Sequence, residues 1–221
     1  MSALVHRVRE AASAPQGALV LNHGRGADEN DLFSLLDVLD PDRRLVGVTT
    51  GAPLTNVPPG GRHWYLVPQV GYPDPETFAA SYEALTGFLD GFLAERGLGW
   101  ESTVIGGFSM GSVMSYAVSL GEGRPTPAGL LVFSGFIPTV DGWSLELEGR
   151  EGLDIAIHHG ANDPIISVDF ARKARELLSS GGIEPEYLET DVGHWLPPEA
   201  VEPAKRLVAG VASDRTGRSG A

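Results

Sequence analysis

The chain has 221 residues, of which 42% are hydrophobic and 20% charged, a composition that suits one globular domain with a substantial core. Its 29 acidic residues against 16 Lys and Arg give a net charge of -13, which disfavours partners with phosphate backbones and anionic membrane surfaces. The absence of cysteine excludes disulfides, thiolate metal sites and a cysteine nucleophile.

The N-terminal segment does not have the pattern of a signal peptide. Charged residues between Arg7 and Glu10 occupy the place of its apolar region, and no apolar run in the chain approaches the roughly 18–20 residues needed to span a bilayer. We therefore expect a soluble, cytoplasmic protein without membrane insertion. Residues 5–11 predict an additional antiparallel strand at the edge of a sheet.

Short apolar segments alternate with longer helical patterns along the chain. Strands are predicted at residues 17–24, 44–50, 102–108, 128–135, 153–160 and 185–191. Helices are predicted at residues 28–40, 75–97, 109–120, 167–182 and 197–213. This alternation predicts a single α/β domain over residues 1–212, with a mostly parallel sheet, helices on both faces and no large cap domain, followed by a flexible tail at 213–221.

A glycine turn follows the first of these strands, at residues 23–26. Its glycines allow the backbone to approach a ligand, and the Arg25 N–H is the predicted donor to an oxyanion. A dinucleotide site is disfavoured, because Glu29 stands where the third glycine of G-x-G-x-x-G belongs. Further along, residues 51–75 are rich in Pro and Gly and predict a long functional loop.

The segment Gly107-Phe108-Ser109-Met110-Gly111 has the pattern G-x-S-x-G between a predicted strand and a predicted helix. A turn this tight needs residues without a side chain two positions before and after the serine. The pattern predicts that Ser109 is a nucleophile and that the Met110 N–H donates to a developing oxyanion.

A serine nucleophile needs a histidine base and an acid that orients it. His194 follows the last predicted strand, and Asp163 follows the strand before it, so both are expected at the carboxyl edge of the sheet. Asp191 is the alternative acid, although it lies close to His194 in sequence. The adjacent His158 and His159 point to opposite faces of a strand, which favours structural roles over a shared metal ion.

Apolar residues near the same edge are expected to line the substrate cleft, with packing of the loop against the body as the alternative for the tryptophans. These residues are Trp64, Tyr65, Leu66, Val67, Phe136, Ile165 and Trp195.

The segments "LNHGRGAD", "GGFSMGS", "HHGANDPII" and "VGHWLPPE", in this order, resemble the phospholipase/carboxylesterase family of small α/β-hydrolases. The resemblance implies an α/β-hydrolase without a lid domain that acts on carboxylic esters or thioesters. It places the catalytic triad on Ser109, Asp163 and His194, and the oxyanion donors on Arg25 and Met110. Acyl-protein thioesterases typically carry Gln where Met110 stands, and many members carry an aliphatic residue at Arg25, which weakens an inference to palmitoylated proteins.

We therefore expect a serine hydrolase that cleaves small-molecule carboxylic esters of short to medium acyl chain length through an acyl-enzyme, as a monomer or homodimer. No cofactor and no metal is expected. The alternatives are a thioesterase, an amidase or peptidase of the same fold, and a ligand-binding protein that keeps the fold without catalysis.

Overall fold

A computed structural model describes residues 4–218 of the chain. The strands are β1 (His6–Arg9), β2 (Ala18–Asn22), β3 (Val46–Thr50), β4 (Thr103–Phe108), β5 (Gly129–Phe133), β6 (Asp154–Gly160) and β7 (Glu186–Thr190). The α-helices are α1 (Leu35–Leu39), α2 (Pro75–Glu95), α3 (Met110–Leu120), α4 (Asp169–Ser180) and α5 (Val201–Arg218), and single 3-10 turns lie at Trp100–Ser102 and Pro198–Ala200.

The seven strands form one sheet in the order β1-β3-β2-β4-β5-β6-β7. The pairing of β1 with β3 is antiparallel and every other pairing is parallel. The predicted edge strand and the mostly parallel sheet are thereby confirmed. Because strands β2 to β7 run in the same direction, their carboxyl ends meet at one edge, where the loops can build a site.

Helices cover both faces of the sheet, as the alternation of strands and helices predicts. On one face, α2, α3 and α4 pack on inward side chains such as Val20, Ile105 and Val132. On the other face, α1 and α5 pack on side chains such as Leu21 and Val104. The inner strands β2 to β6 are buried on both faces, which explains their largely apolar sequences, whereas the edge strands β1 and β7 are partly exposed.

The first predicted helix is much shorter than expected. Residues 28–40 predict one helix, whereas the helix begins only at Leu35 and consecutive turns precede it. The side chain of Asp28 accepts a hydrogen bond from the Asn30 N–H at 2.8 Å, and backbone bonds span three residues, as from Asp31 N to Asp28 O. Asp side chains stabilise turns in this way in competition with helix, and the prediction over 28–34 was wrong for that reason.

The last helix extends beyond the predicted range of 197–213, because helix α5 continues to Arg218. The flexible tail at 213–221 stays a prediction. Residues 219–221 of that segment lie outside the described residues. None of the helices within residues 4–218 is both long and apolar enough to cross a membrane.

Candidate active site

Ser109 occupies the sharp turn between β4 and α3. Its backbone has φ 54° and ψ -118°, a conformation that L-residues rarely adopt. A Cβ on Gly107 would lie 2.5 Å from the carbonyl carbon of Gly111, and a Cβ on Gly111 would lie 2.0 Å from the Asn22 oxygen. Both glycines are therefore required by close packing, as the sequence predicts, and the surrounding structure holds Ser109 in its strained conformation.

The side chains of Ser109, His194 and Asp163 form one hydrogen-bonded chain. His194 Nε2 lies 2.9 Å from Ser109 Oγ, and His194 Nδ1 lies 2.6 Å from Asp163 Oδ2. The Asp163 carboxylate can only accept a hydrogen bond, so His194 Nδ1 carries the proton. His194 Nε2 can then accept a hydrogen bond from the Ser109 hydroxyl. The ring of Phe108 packs on the His194 ring at 4.9 Å between centroids and helps to fix its orientation.

The Asp163 side chain is fully buried and is hydrogen-bonded at both oxygens. Its Oδ1 accepts from the N–H groups of Ile165 and Ile166 at 2.8 and 2.9 Å, while Oδ2 faces His194. Burial by itself raises the pKa of this carboxyl, but the hydrogen bonds from His194, Ile166 and Ile165 outweigh it, and the net pKa is lowered. The group is therefore ionised and fixed in place at neutral pH.

A second histidine, His159, contacts the same carboxylate from the sheet side. Its Nε2 lies 2.9 Å from the Ile166 oxygen and 3.4 Å from Asp163 Oδ2. Burial lowers the pKa of His159, so the ring is neutral at neutral pH and its Nε2–H is the donor to these oxygens. The neighbouring His158 instead contacts Thr190 Oγ1 at 2.7 Å.

Asp191, the alternative acid, is occupied elsewhere. Its carboxylate accepts a hydrogen bond from the side-chain amide of Asn162. The carboxylate that contacts the His194 ring is therefore that of Asp163.

Two backbone N–H groups beside Ser109 have no hydrogen-bond acceptor among the described residues. They belong to Arg25, in the turn after β2, and to Met110, the first residue of α3. Arg25, Met110 and Ser109 all line the same cavity. Free N–H groups in this position are suited to hold a negatively charged oxygen.

The cavity at this edge of the sheet has a volume of about 530 Å³. Four of the residues predicted to line it do so, namely Tyr65, Val67, Phe136 and Ile165. Several further lining residues were missed by the sequence prediction. The missed lining residues are Ala27, Asp31, Pro59, Gln69, Val70, Phe108 and Ile166.

The other three residues expected in the cleft are not among those that line it. Trp64 is fully buried and its indole N–H donates to the His23 oxygen at 3.0 Å, so this side chain packs the loop against the body. Leu66 and Trp195 are 40% and 51% exposed and lie outside the cavity lining. In this irregular loop it is Tyr65, the residue after Trp64, that lines the cavity.

Comparison with known proteins identifies the family of the chain. A model of the phospholipase/carboxylesterase family matches residues 4–209. The chain is 27% identical over 204 residues to acyl-protein thioesterase 1 of Debaryomyces hansenii, covering 83% of this chain and 86% of the relative. It is 29% identical over 195 residues to the putative hydrolase MhqD of Bacillus subtilis, covering 85% and 90%.

A solved structure shares the fold across nearly the whole chain. The carboxylesterase of Bacillus cereus superposes with a TM-score of 0.82 at 22% identity, covering 94% of each chain. At this identity the likeness shows the fold.

Proposed function

The chain belongs to the phospholipase/carboxylesterase family and is a carboxylesterase-type hydrolase, and on this premise we propose that it cleaves esters of short to medium acyl chain length with Ser109, His194 and Asp163 as its triad. The observation that carries the proposal is the hydrogen-bonded chain from Ser109 Oγ through His194 to Asp163, beside an apolar cavity. The match to the family, which extends over all three residues, supports it.

In the first half-reaction, Ser109 Oγ attacks the ester carbonyl carbon while its proton passes to His194 Nε2. The carbonyl oxygen becomes an oxyanion, which the N–H groups of Arg25 and Met110 stabilise. Asp163 stabilises the imidazolium that forms. When the tetrahedral intermediate collapses, the bond to the alcohol oxygen breaks and His194 returns the proton to that oxygen.

In the second half-reaction, water replaces the alcohol. His194 takes a proton from the water as its oxygen attacks the acyl carbon, and the same two N–H groups hold the second oxyanion. The carboxylic acid is released and Ser109 regains its proton. All acid and base steps pass through one imidazole, so a single ring orientation must serve both halves of the reaction.

The experiment that tests the nucleophile is labelling with a fluorophosphonate, followed by mass spectrometry of the adduct. We expect the label on Ser109 and loss of p-nitrophenyl butyrate hydrolysis in Ser109→Ala. The exposed Ser180, whose hydroxyl donates to the Leu177 oxygen, supplies the matched control Ser180→Ala, which should keep full activity. Label on another serine, or an active Ser109→Ala variant, would contradict the proposal.

The acyl preference is tested with p-nitrophenyl esters from acetate to palmitate. Each methylene buried in the cavity contributes roughly 0.8 kcal/mol, up to about fourfold in kcat/KM, until the cavity of about 530 Å³ is filled. We expect a rise over the first few carbons and then a plateau. A steady increase up to palmitate would instead indicate a long-chain site.

A thioesterase is the second candidate, because a relative at 27% identity is named acyl-protein thioesterase 1. The same acyl-enzyme forms from either substrate, and only the leaving atom differs. Comparing kcat/KM for butyryl oxygen esters and butyryl thioesters of matched leaving-group pKa distinguishes the two activities.

A further inference from the structure

The peptide between Gly24 and Arg25 lies against the nucleophile. A Cβ on Gly24 would sit 3.4 Å from Ser109 Cβ and 3.1 Å from Phe108 Cδ1, so a side chain here would already contact the serine and its neighbour. The N–H of Arg25 belongs to this peptide. An oxyanion donor works only when its direction is fixed before the reaction, and something must therefore hold this peptide plane.

The neighbouring histidine, His23, is buried beside this peptide with a defined tautomer. His23 as a whole residue is 1% exposed. Its Nε2 accepts a hydrogen bond from the Ala52 N–H at 3.0 Å. Because Nε2 is an acceptor, the proton of the neutral ring is on Nδ1. The Nδ1–H then donates to the Gly24 carbonyl oxygen, at 2.6 Å.

This hydrogen bond acts on the oxyanion donor through the geometry of the peptide bond. In a planar trans peptide the C=O and the N–H point in opposite directions. Holding the Gly24 oxygen toward the His23 ring therefore directs the Arg25 N–H away from that ring. Arg25 lines the cavity in front of Ser109, where the N–H has no acceptor among the described residues.

The histidine is itself held from several sides. Its backbone oxygen accepts from Trp64 Nε1 at 3.0 Å, and the two rings lie 5.7 Å apart. Burial lowers the pKa of His23, so the ring stays neutral and keeps Nε2 available to Ala52 at neutral pH. The ring is thus a rigid connection between the loop at residues 51–75 and the Gly24–Arg25 peptide.

We propose that His23 is a positioning residue for the oxyanion hole, holding the Gly24–Arg25 peptide so that the Arg25 N–H faces the carbonyl oxygen of the ester. This inference rests on the proposed function, because it assumes an oxyanion formed at Ser109. His23 does not touch the substrate. Its removal should therefore weaken stabilisation of the transition state while leaving ground-state binding nearly unchanged.

The test uses three variants with p-nitrophenyl butyrate as substrate. His23→Phe keeps an aromatic ring beside Trp64 but removes both ring hydrogen bonds. His23→Asn keeps an amide N–H that can donate to the Gly24 oxygen. The matched control is His158→Phe, which removes a buried histidine whose contact is with Thr190.

We expect kcat to fall about 100-fold in His23→Phe with KM changed less than threefold, since one misdirected oxyanion donor costs on the order of 10²–10³ in kcat. His23→Asn should recover at least tenfold of that loss, and His158→Phe should stay within threefold of the parent. Affinity for butylboronic acid, whose serine adduct carries an anionic oxygen, should fall in parallel with kcat, while inhibition by the neutral butyramide should change less than threefold.

A folded His23→Phe protein with kcat within threefold of the parent would overturn the inference, as would a rise in KM at constant kcat. If His23→Phe does not fold, His23→Leu, which also removes both ring hydrogen bonds, is compared with the parent by the same kcat, KM and boronic acid measurements, and the same thresholds decide. Failure of the proposed function is separate, because the parent protein would then show no fluorophosphonate label on Ser109.

Discussion

Asp163 is the carboxylate that the structure holds most firmly beside the candidate base. Two backbone N–H groups direct its Oδ1, and its Oδ2 contacts the rings of His194 and His159. Asp191 is only three residues from His194 in sequence, but its carboxylate is hydrogen-bonded to Asn162. The residue that follows the preceding strand, rather than the one nearest in sequence, therefore reaches the imidazole.

The two acids differ in their expected contribution to turnover. Asp163→Asn should lower kcat on the order of 10⁴-fold, because an amide in place of the carboxylate favours the wrong tautomer of His194. Asp191→Asn should change kcat less than about threefold. Steady-state kinetics of both variants on p-nitrophenyl butyrate check this, and a loss below tenfold in Asp163→Asn would reassign the acid.

At the scale of elements, the junction of β4 and α3 leaves no room for an added side chain at Gly107 or Gly111. The first turn of α3 packs on the end of β2, where the Asn22 and His23 oxygens approach Gly111. The helix therefore begins immediately at the sheet, and its N-terminus faces the same cavity as Ser109. This close packing explains the glycine two residues after the serine.

A methyl group at this junction should have a large effect, whereas one on an open helix should not. In Gly111→Ala the new Cβ would lie 2.0 Å from the Asn22 oxygen, so the backbone must shift. We expect a loss of stability of about 1–3 kcal/mol and a fall in kcat of about 100-fold as Ser109 moves.

The matched control is Gly87→Ala in α2, where no heavy atom lies within 4 Å of the added Cβ. Alanine is the better helix former there, so stability should rise by roughly 0.5–1 kcal/mol with unchanged kcat. Urea unfolding and p-nitrophenyl butyrate kinetics on both variants give the comparison. Equal behaviour of the two variants would show that the junction tolerates a side chain.

At the scale of the whole molecule, His23, His158 and His159 lie buried near the carboxyl edge of the sheet. Burial lowers the pKa of His23, His158 and His159, to about 4 for His158. These rings are neutral in the folded protein at pH values where a histidine of the unfolded chain takes up a proton. Acidification should therefore lower the free energy of unfolding, an effect that the net charge alone would not predict.

The sign of this effect follows from proton binding. For His158, the unfolded chain binds a proton below its ordinary pKa of 6.5 and the folded protein only near about 4, so the unfolded state binds more protons in between. The free energy of unfolding should therefore fall as the pH is lowered from about 6.5 to about 4, on the order of 1 kcal/mol per pH unit for this residue.

Urea unfolding at several pH values between 7.5 and 4 measures this loss. The His158→Phe variant has no group to titrate at this position and should show a shallower dependence over the same range. The contribution of His158 would be refuted by an identical slope in the parent and the variant.

The sequence by itself determined the parts that depend on local patterns. The order of strands and helices follows from hydrophobic periodicity, and the serine between Gly107 and Gly111 follows from the space that a tight turn allows. His194 and Asp163 could be selected because parallel strands bring their carboxyl ends to one edge, whatever the distance between them along the chain. The structure brings these side chains within hydrogen-bond distance of one another.

Only the tertiary structure decided which side chains form the cavity. The path of an irregular loop is set by its packing against the body, so Trp64 is buried while Tyr65 faces the cavity, and Trp195 lies at the surface. The length of α1 was decided in the same way, by turn hydrogen bonds that compete with helix. The contact of His23 with the Gly24 oxygen depends on the Ala52 N–H from a separate loop, and no local pattern in the sequence contains that contact.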